Sequence, residues 1–140
     1  MQIRSRLTKS GLLGAAAVAA LAFTAAPASA APAVTATPAA GLADGQSVTV
    51  RGTGFPAGAE VAVSQCRENT TCTDTLAKAT VDAAGGFSTA YTVRKQFTAT
   101  DWSTGTGTGS TVTVDCAAQQ CQLVAYLEGT GPVGADISFG

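Results

Sequence analysis

From residue 31 onward, apolar and polar positions alternate with period two, as they do in half-buried strands whose successive side chains face opposite sides. "QSVTVRG" turns Val48 and Val50 to one side, and "AEVAVSQC" does the same with Val61 and Val63. "GFSTAYTVR" offers Phe87, Tyr91 and Val93, "TVTVDC" offers Val112 and Val114, "CQLVAYLE" offers Leu123 and Leu127, and "ADISFG" offers Ile137 and Phe139. With "AVTATP" at the start and "TLAKATVD" in the middle, the pattern predicts seven to nine short strands. No stretch places apolar residues at i, i+3, i+4 and i+7 over helical length, so no helix of any size is expected. The segments "LADGQ", "FPAG", "DAAGG" and "GTGPVG" read as turns between the strands. Short strands at this spacing predict an all-β sandwich or barrel. The Thr/Gly tract "STGTGTGST", residues 103 to 111, has the composition of a surface loop or hairpin tip.

The first 30 residues break this pattern. Arg4, Arg6 and Lys9 precede an apolar run from Leu12 to Ala26, which is followed by Pro27 and the small residues "ASA". This is the layout of an export signal cleaved after Ala30, and the run is short for a membrane span of about 20 residues. The expected mature chain is one domain, residues 31 to 140, secreted and free of any membrane segment. It keeps Arg51, Arg67, Lys78, Arg94 and Lys95 against nine acids, a formal charge of −4. That sign opposes direct binding to nucleic acid, which depends on cations that displace counterions from phosphates.

Export also bears on the four cysteines. In an oxidising compartment the close pairs Cys66 with Cys72 and Cys116 with Cys121 read as disulfides, although four cysteines allow three pairings. Zinc would need tighter Cys spacing or histidine, and the chain has no histidine. A bridge across so few residues stabilises by about 2 kcal/mol on the chain-entropy estimate, less than a longer span would give. Local shape is therefore the better reason for placing one there.

"TPAAGLADGQSVTVRGTGFPAGAEVAVSQC", "TVDAAGGFSTAYTVRKQF", "TVDCAAQQCQL" and the closing "DISFG" together resemble the neocarzinostatin family of secreted actinobacterial apoproteins. The likeness covers essentially the whole expected mature chain. It implies a seven-stranded antiparallel immunoglobulin-like β-sandwich with an adjoining two-stranded ribbon, the two forming a ligand cleft. It implies further that the cleft holds an enediyne chromophore without a covalent bond, and that the protein shelters and delivers this DNA-cutting antibiotic. DNA would then be a partner only through the ligand, and the protein would act as a monomer. The resemblance places the Cys66–Cys72 bridge at the cleft floor.

The same resemblance nominates ligand-binding residues by local match. Cys66 and Cys72 match directly. Leu76 falls near an aromatic that lines the family's cleft, Trp102 near a phenylalanine that stacks on the ligand, and Gln122 on a polar cleft residue. Tyr126 stands where the family's type member has serine. It shares a strand face with Gln122 and Val124, opposite Leu123 and Leu127, and so faces the cleft if those leucines face the core. Phe97, after "VRKQ", reads as either core or cleft rim and is a further ligand-binding candidate. Phe87 and Tyr91 share a face with Val93 and read as core. The chain also departs from the family: the loop between Cys66 and Cys72 is short, Glu68 stands where the type member has tryptophan, and the Thr/Gly tract lacks an equivalent.

Catalysis finds little footing in these residues. Without histidine there is no Ser-His or Cys-His pair, and the cysteines are taken up in bridges. Asp101 and Glu68 are the candidate glycosidase pair, and Lys78 or Lys95 the candidate for a Ser-Lys dyad, with no motif to bring either together. The expectation is a carrier rather than an enzyme, with no metal and no required cofactor. The alternative is a secreted immunoglobulin-like module that binds a protein or glycan through its loops.

Overall fold

The computed structural model describes residues 31 to 103 and 109 to 140. The export signal and part of the Thr/Gly tract lie outside the described residues. Among the described residues the structure is all strand and turn, with ten strands in two antiparallel sheets and no helix.

The smaller sheet joins β1 (Ala33–Thr37), β2 (Ser47–Thr53) and β6 (Phe87–Thr92) in that order. The larger is built around β3 (Glu60–Arg67), whose one edge pairs with β9 (Cys121–Leu127), itself followed by β10 (Gly131–Ile137). The other edge of β3 is shared: β5 (Ala77–Thr80) covers Glu60 to Val63, and β4 (Thr71–Cys72) covers Cys66 and Arg67. From β4 the sheet runs on into β7 (Gln96–Asp101) and β8 (Thr111–Asp115).

The period-two pattern decides what each sheet turns inward. Val48 and Val50 on β2, Phe87 and Tyr91 on β6, Val61 and Val63 on β3, and Leu123 and Ala125 on β9 all join one buried cluster. Phe55 and Phe87 meet edge to face with ring centroids 5.3 Å apart, the arrangement favoured by the aromatic quadrupole. Gly52 makes that contact possible, because a Cβ there would overlap the Phe87 ring.

The pattern misplaces three elements. β4 and β7 are absent from the alternation, the first because two residues carry no period. The "GTGPVG" segment, expected as a turn, is instead mostly strand: β10 already pairs from Gly131 with Leu127. Pro132 is tolerated there because β10 is the edge of its sheet, where a missing N–H leaves no central ladder broken. The expected two-stranded ribbon is the β7–β8 pair. It is not a separate piece, since Thr71 pairs with Asp101 and Cys72 with Thr100, which ties it through β4 into the larger sheet.

Candidate functional site

Both disulfides form, Cys66 with Cys72 and Cys116 with Cys121. The second closes the turn between β8 and β9, and both of its cysteines are buried. The first joins β3 to β4, where Cys66 and Cys72 stand directly opposite each other. Between them the chain reverses in a tight link in which Glu68 adopts a left-handed backbone at φ 58°. That conformation costs a non-glycine residue roughly 1 kcal/mol, so the bridge holds shut a turn that its sequence does not favour.

The outer face of β3 presents Ala62, Ser64 and Cys66, the positions that alternate with core-facing Val61, Val63 and Gln65. On β9 the same face presents Val124 and Tyr126, paired with Ser64 and Ala62 in register. These residues, with Asn69, Thr70, Cys72, Thr73, Asp74, Leu76, Trp102 and Pro132, surround a cleft of about 450 Å³. The volume lies within the range of small-molecule sites.

Four large apolar side chains are substantially exposed among the described residues: Leu76 (53%), Trp102 (44%), Val112 (42%) and Tyr126 (54%). Three of them line this cleft. Single exposed apolar residues are ordinary, but several gathered in one concavity mark a binding surface.

The walls are held by hydrogen bonds from beneath. Between the end of β5 and the start of β4, the β3 residues Ser64 and Gln65 have no strand neighbour on that side. The loop after β4 and a core tyrosine fill the gap. Thr73 N–H donates to the Gln65 carbonyl at 3.0 Å, and Ser64 Oγ donates to the Thr73 carbonyl at 2.8 Å. The Tyr91 hydroxyl accepts from Gln65 N–H at 3.2 Å and donates to the Thr75 carbonyl at 2.9 Å. Burial raises the Tyr91 pKa above its ordinary 10.0, with the bonds to Gln65 and Ser64 acting against the shift. The loop carrying Asp74 and Leu76 is thus fixed to the core from behind.

Buried Gln65 reaches further. Its amide donates to the Arg94 carbonyl at 2.6 Å and accepts from the Arg94 N–H at 2.9 Å. It fastens the β6–β7 connection to the centre of the larger sheet. Sequence reading missed Gln65 and Tyr91 as supports of the site. The available signal was a glutamine two positions after Val63, on the inward-facing parity of β3.

Trp102 sits just beyond β7, its backbone N–H donating to the Thr70 carbonyl at 2.7 Å. The backbone that carries the indole is therefore tied to the disulfide loop. Asp101 next to it accepts from the Ser103 N–H at 2.8 Å. Hydrogen bonds from the backbone and then the side chain of Ser103 hold the Asp101 carboxyl below its ordinary 3.8, with desolvation acting against them and the charge of Arg67 adding the least.

Of the residues expected at the site, Cys66, Cys72, Leu76, Trp102 and Tyr126 come together around the cleft. Phe97 does not. It packs against the core opposite Val114, because its parity on β7 matches buried Ala99 and not the outward threonines. Gln122 also stands outside the lining. Its amide N–H donates to Asp136 at 2.8 Å, while its buried Oε1 has no partner among the described residues. The candidate glycosidase pair is not assembled at the cleft: neither Glu68 nor Asp101 lines it, and Asp74 is the one carboxylate that does.

The neocarzinostatin family model matches residues 34–139. The antitumor antibiotic C-1027 apoprotein of Streptomyces globisporus is 37% identical over an alignment that covers 100% of both chains. Actinoxanthin from the same organism is 36% identical at the same coverage. Among solved structures, macromomycin superposes with a TM-score of 0.68 at 34% identity, covering 79% of this chain and 100% of its own. Apokedarcidin superposes with a TM-score of 0.56 at 30% identity and the same coverage.

Proposed function

The chain belongs to the neocarzinostatin family, and on that premise we propose that its cleft holds a small aromatic antibiotic chromophore of enediyne type, bound without a covalent bond. The observation that carries this reading is the convergence of Leu76, Trp102 and Tyr126, all exposed, on a hollow with a disulfide in its wall. An apolar guest covers those side chains and gains the stabilisation that water now denies them, about 25 cal/mol for each Å² buried.

Chemically, the protein's part is exclusion and fixation. The bridge and the three hydrogen bonds behind the Thr73–Leu76 loop make the walls rigid before a guest arrives, which lowers the entropic cost of binding. A guest packed against Trp102 and Tyr126 is shielded from water and from thiols in solution. Release then hands it to DNA, while residues 31 to 140, at a formal −4, have the wrong charge to bind there. In this reading the chain is exported and monomeric, and Cys66, Cys72, Leu76, Trp102 and Tyr126 touch the ligand.

The protein-binding or glycan-binding alternative draws less support, since Leu76, Trp102 and Tyr126 gather in one concavity rather than spreading over an open surface. A hydrolase would need a second carboxylate or a base beside Asp74. Native mass spectrometry of protein purified from the producing organism tests the proposal. A co-purifying, ultraviolet-absorbing small molecule that quenches Trp102 fluorescence is expected. Protein that emerges bare from an organism producing no such compound refutes it.

A further inference from the structure

Gln122 reaches from β9 towards the edge strand β10, where its Nε2 donates to Asp136 Oδ1 at 2.8 Å. That bond fixes the amide, since the reverse orientation would set its oxygen against a carboxylate oxygen. Gln122 Oε1 is buried and has no hydrogen-bond partner among the described residues. It lies 2.9 Å from the position a Cβ on Gly134 would take, and Asn69 Oδ1 approaches the same position to 3.3 Å. The missing side chain at Gly134 thus leaves a small space flanked by two amide oxygens, with the Asp136 carboxylate two residues along on the same strand face. Gln122, Gly134 and Asp136 stand outside the cleft lining, and only Asn69 belongs to both places.

A buried carbonyl oxygen without a donor calls for a water or an ion. Two amide oxygens and one carboxylate, with no imidazole or thiolate beside them, suit a hard cation. Calcium fits this set better than magnesium, because Ca²⁺ accepts neutral oxygens in an irregular shell while Mg²⁺ demands octahedral geometry and sheds its waters reluctantly. Charge favours a cation as well: residues 31 to 140 carry a formal −4, and the salt bridge among the described residues engages Lys78 with Glu60, leaving Asp136 to Gln122. We propose that Gln122 Oε1, Asn69 Oδ1 and the Asp136 carboxylate form a calcium site, its shell completed by water, that clips the turn between Cys66 and Cys72 to the edge strand β10. The site is independent of the carrier reading of the neighbouring cleft.

The test titrates Ca²⁺, and Mg²⁺ at the same ionic strength, into the chelator-treated exported chain by calorimetry and follows Tm alongside. Calcium sites of extracellular modules bind at about 10⁻⁴ to 10⁻³ M, so about 10 mM Ca²⁺ should raise Tm by about 5 °C, with Mg²⁺ giving only a small part of that. Asp136→Asn should erase both the calcium heat and the rise in Tm. Asn69→Asp adds a second carboxylate and should tighten calcium binding about tenfold, since affinity follows the charge count of the ligands. If the Asn69 amide instead turns over and donates to Gln122 Oε1, calcium gives no heat and does not restore the stability lost in Asn69→Asp; that result overturns the proposal. A calcium response that Asp136→Asn leaves intact overturns it too, because the ion then sits elsewhere. Equal responses to Ca²⁺ and Mg²⁺ do the same, as they mark general screening of an acidic surface.

Discussion

Replacing Tyr91 by phenylalanine removes one oxygen atom from beneath the cleft and keeps the ring that fills the core. Tyr91 is 4% exposed, and its hydroxyl stands where β3 has lost β5 as a neighbour and not yet gained β4. Two bonds disappear, but they are not equal. The Thr75 carbonyl belongs to an exposed residue and turns to water. The Gln65 N–H belongs to a residue 1% exposed and is left without an acceptor. An orphaned buried donor costs about 1–3 kcal/mol, so Tyr91→Phe should lose about 2 kcal/mol of stability. For a domain near this size that lowers Tm by about 8 °C. Urea unfolding followed by circular dichroism should give a lower midpoint with an unchanged slope, the sign that stability has changed and not the denatured state. Release of the Thr75 carbonyl also loosens the Asp74–Leu76 wall, so a naphthalene probe should dissociate faster. The Tyr91 pKa is raised in the folded chain, so its contribution is complete below pH 10 and is lost as pH rises towards the folded value. Tyr91→Phe should therefore flatten the alkaline fall in stability. A midpoint within about 0.3 kcal/mol of the parent, with the alkaline profile intact, would refute the claim that this hydroxyl completes the β3 ladder.

The remaining predictions concern the bridge, the packing and the acid limb. Replacing Cys66 and Cys72 by alanine should cost about 2 kcal/mol of stability yet impair retention of an aromatic probe by more than tenfold, because the loop it frees also holds Trp102 through Thr70; equal loss of both would reduce the bridge to a plain staple. Gly52→Ala should destabilise by at least about 2 kcal/mol, since the added methyl meets the Phe87 ring in a filled core; a neutral outcome in a melting curve would show that this ring has room to move. Trp102→Ala should abolish most probe affinity while shifting Tm by no more than about 2 °C, given that the indole is 44% exposed; unchanged affinity would displace the site from this cleft. Because the Asp101 carboxyl is held below 3.8, its hold on Ser103 persists at all pH above that and weakens as pH falls through the depressed value. Trp102 emission should stay constant from pH 7 to about pH 4 and change below it, and Asp101→Asn should remove that acid transition; an emission change centred near pH 6 would contradict this assignment.

Period-two alternation was enough to specify an all-β chain and the inward faces of β2, β3, β6 and β9, because burying one face of a strand leaves little choice of parity. Family motifs and cysteine spacing added the cleft and five of its lining residues. Tertiary structure decided what alternation does not encode. Phe97 went to the core by the register of β7 against β8, a pairing made across a connection of nine residues, 102 to 110. Gln122 turned to Asp136 on the neighbouring strand and away from the lining. "GTGPVG" became an edge strand because β9 offered it a partner, where local composition spoke for a turn. Tyr91 read as an ordinary core position, and nothing singled out Gln65, until β4 and β5 were seen to leave two residues of β3 without a neighbour. Strand parity is a local property of sequence, whereas edges, gaps and register exist only between segments, and it is in one such gap that this protein anchors the wall of its cleft.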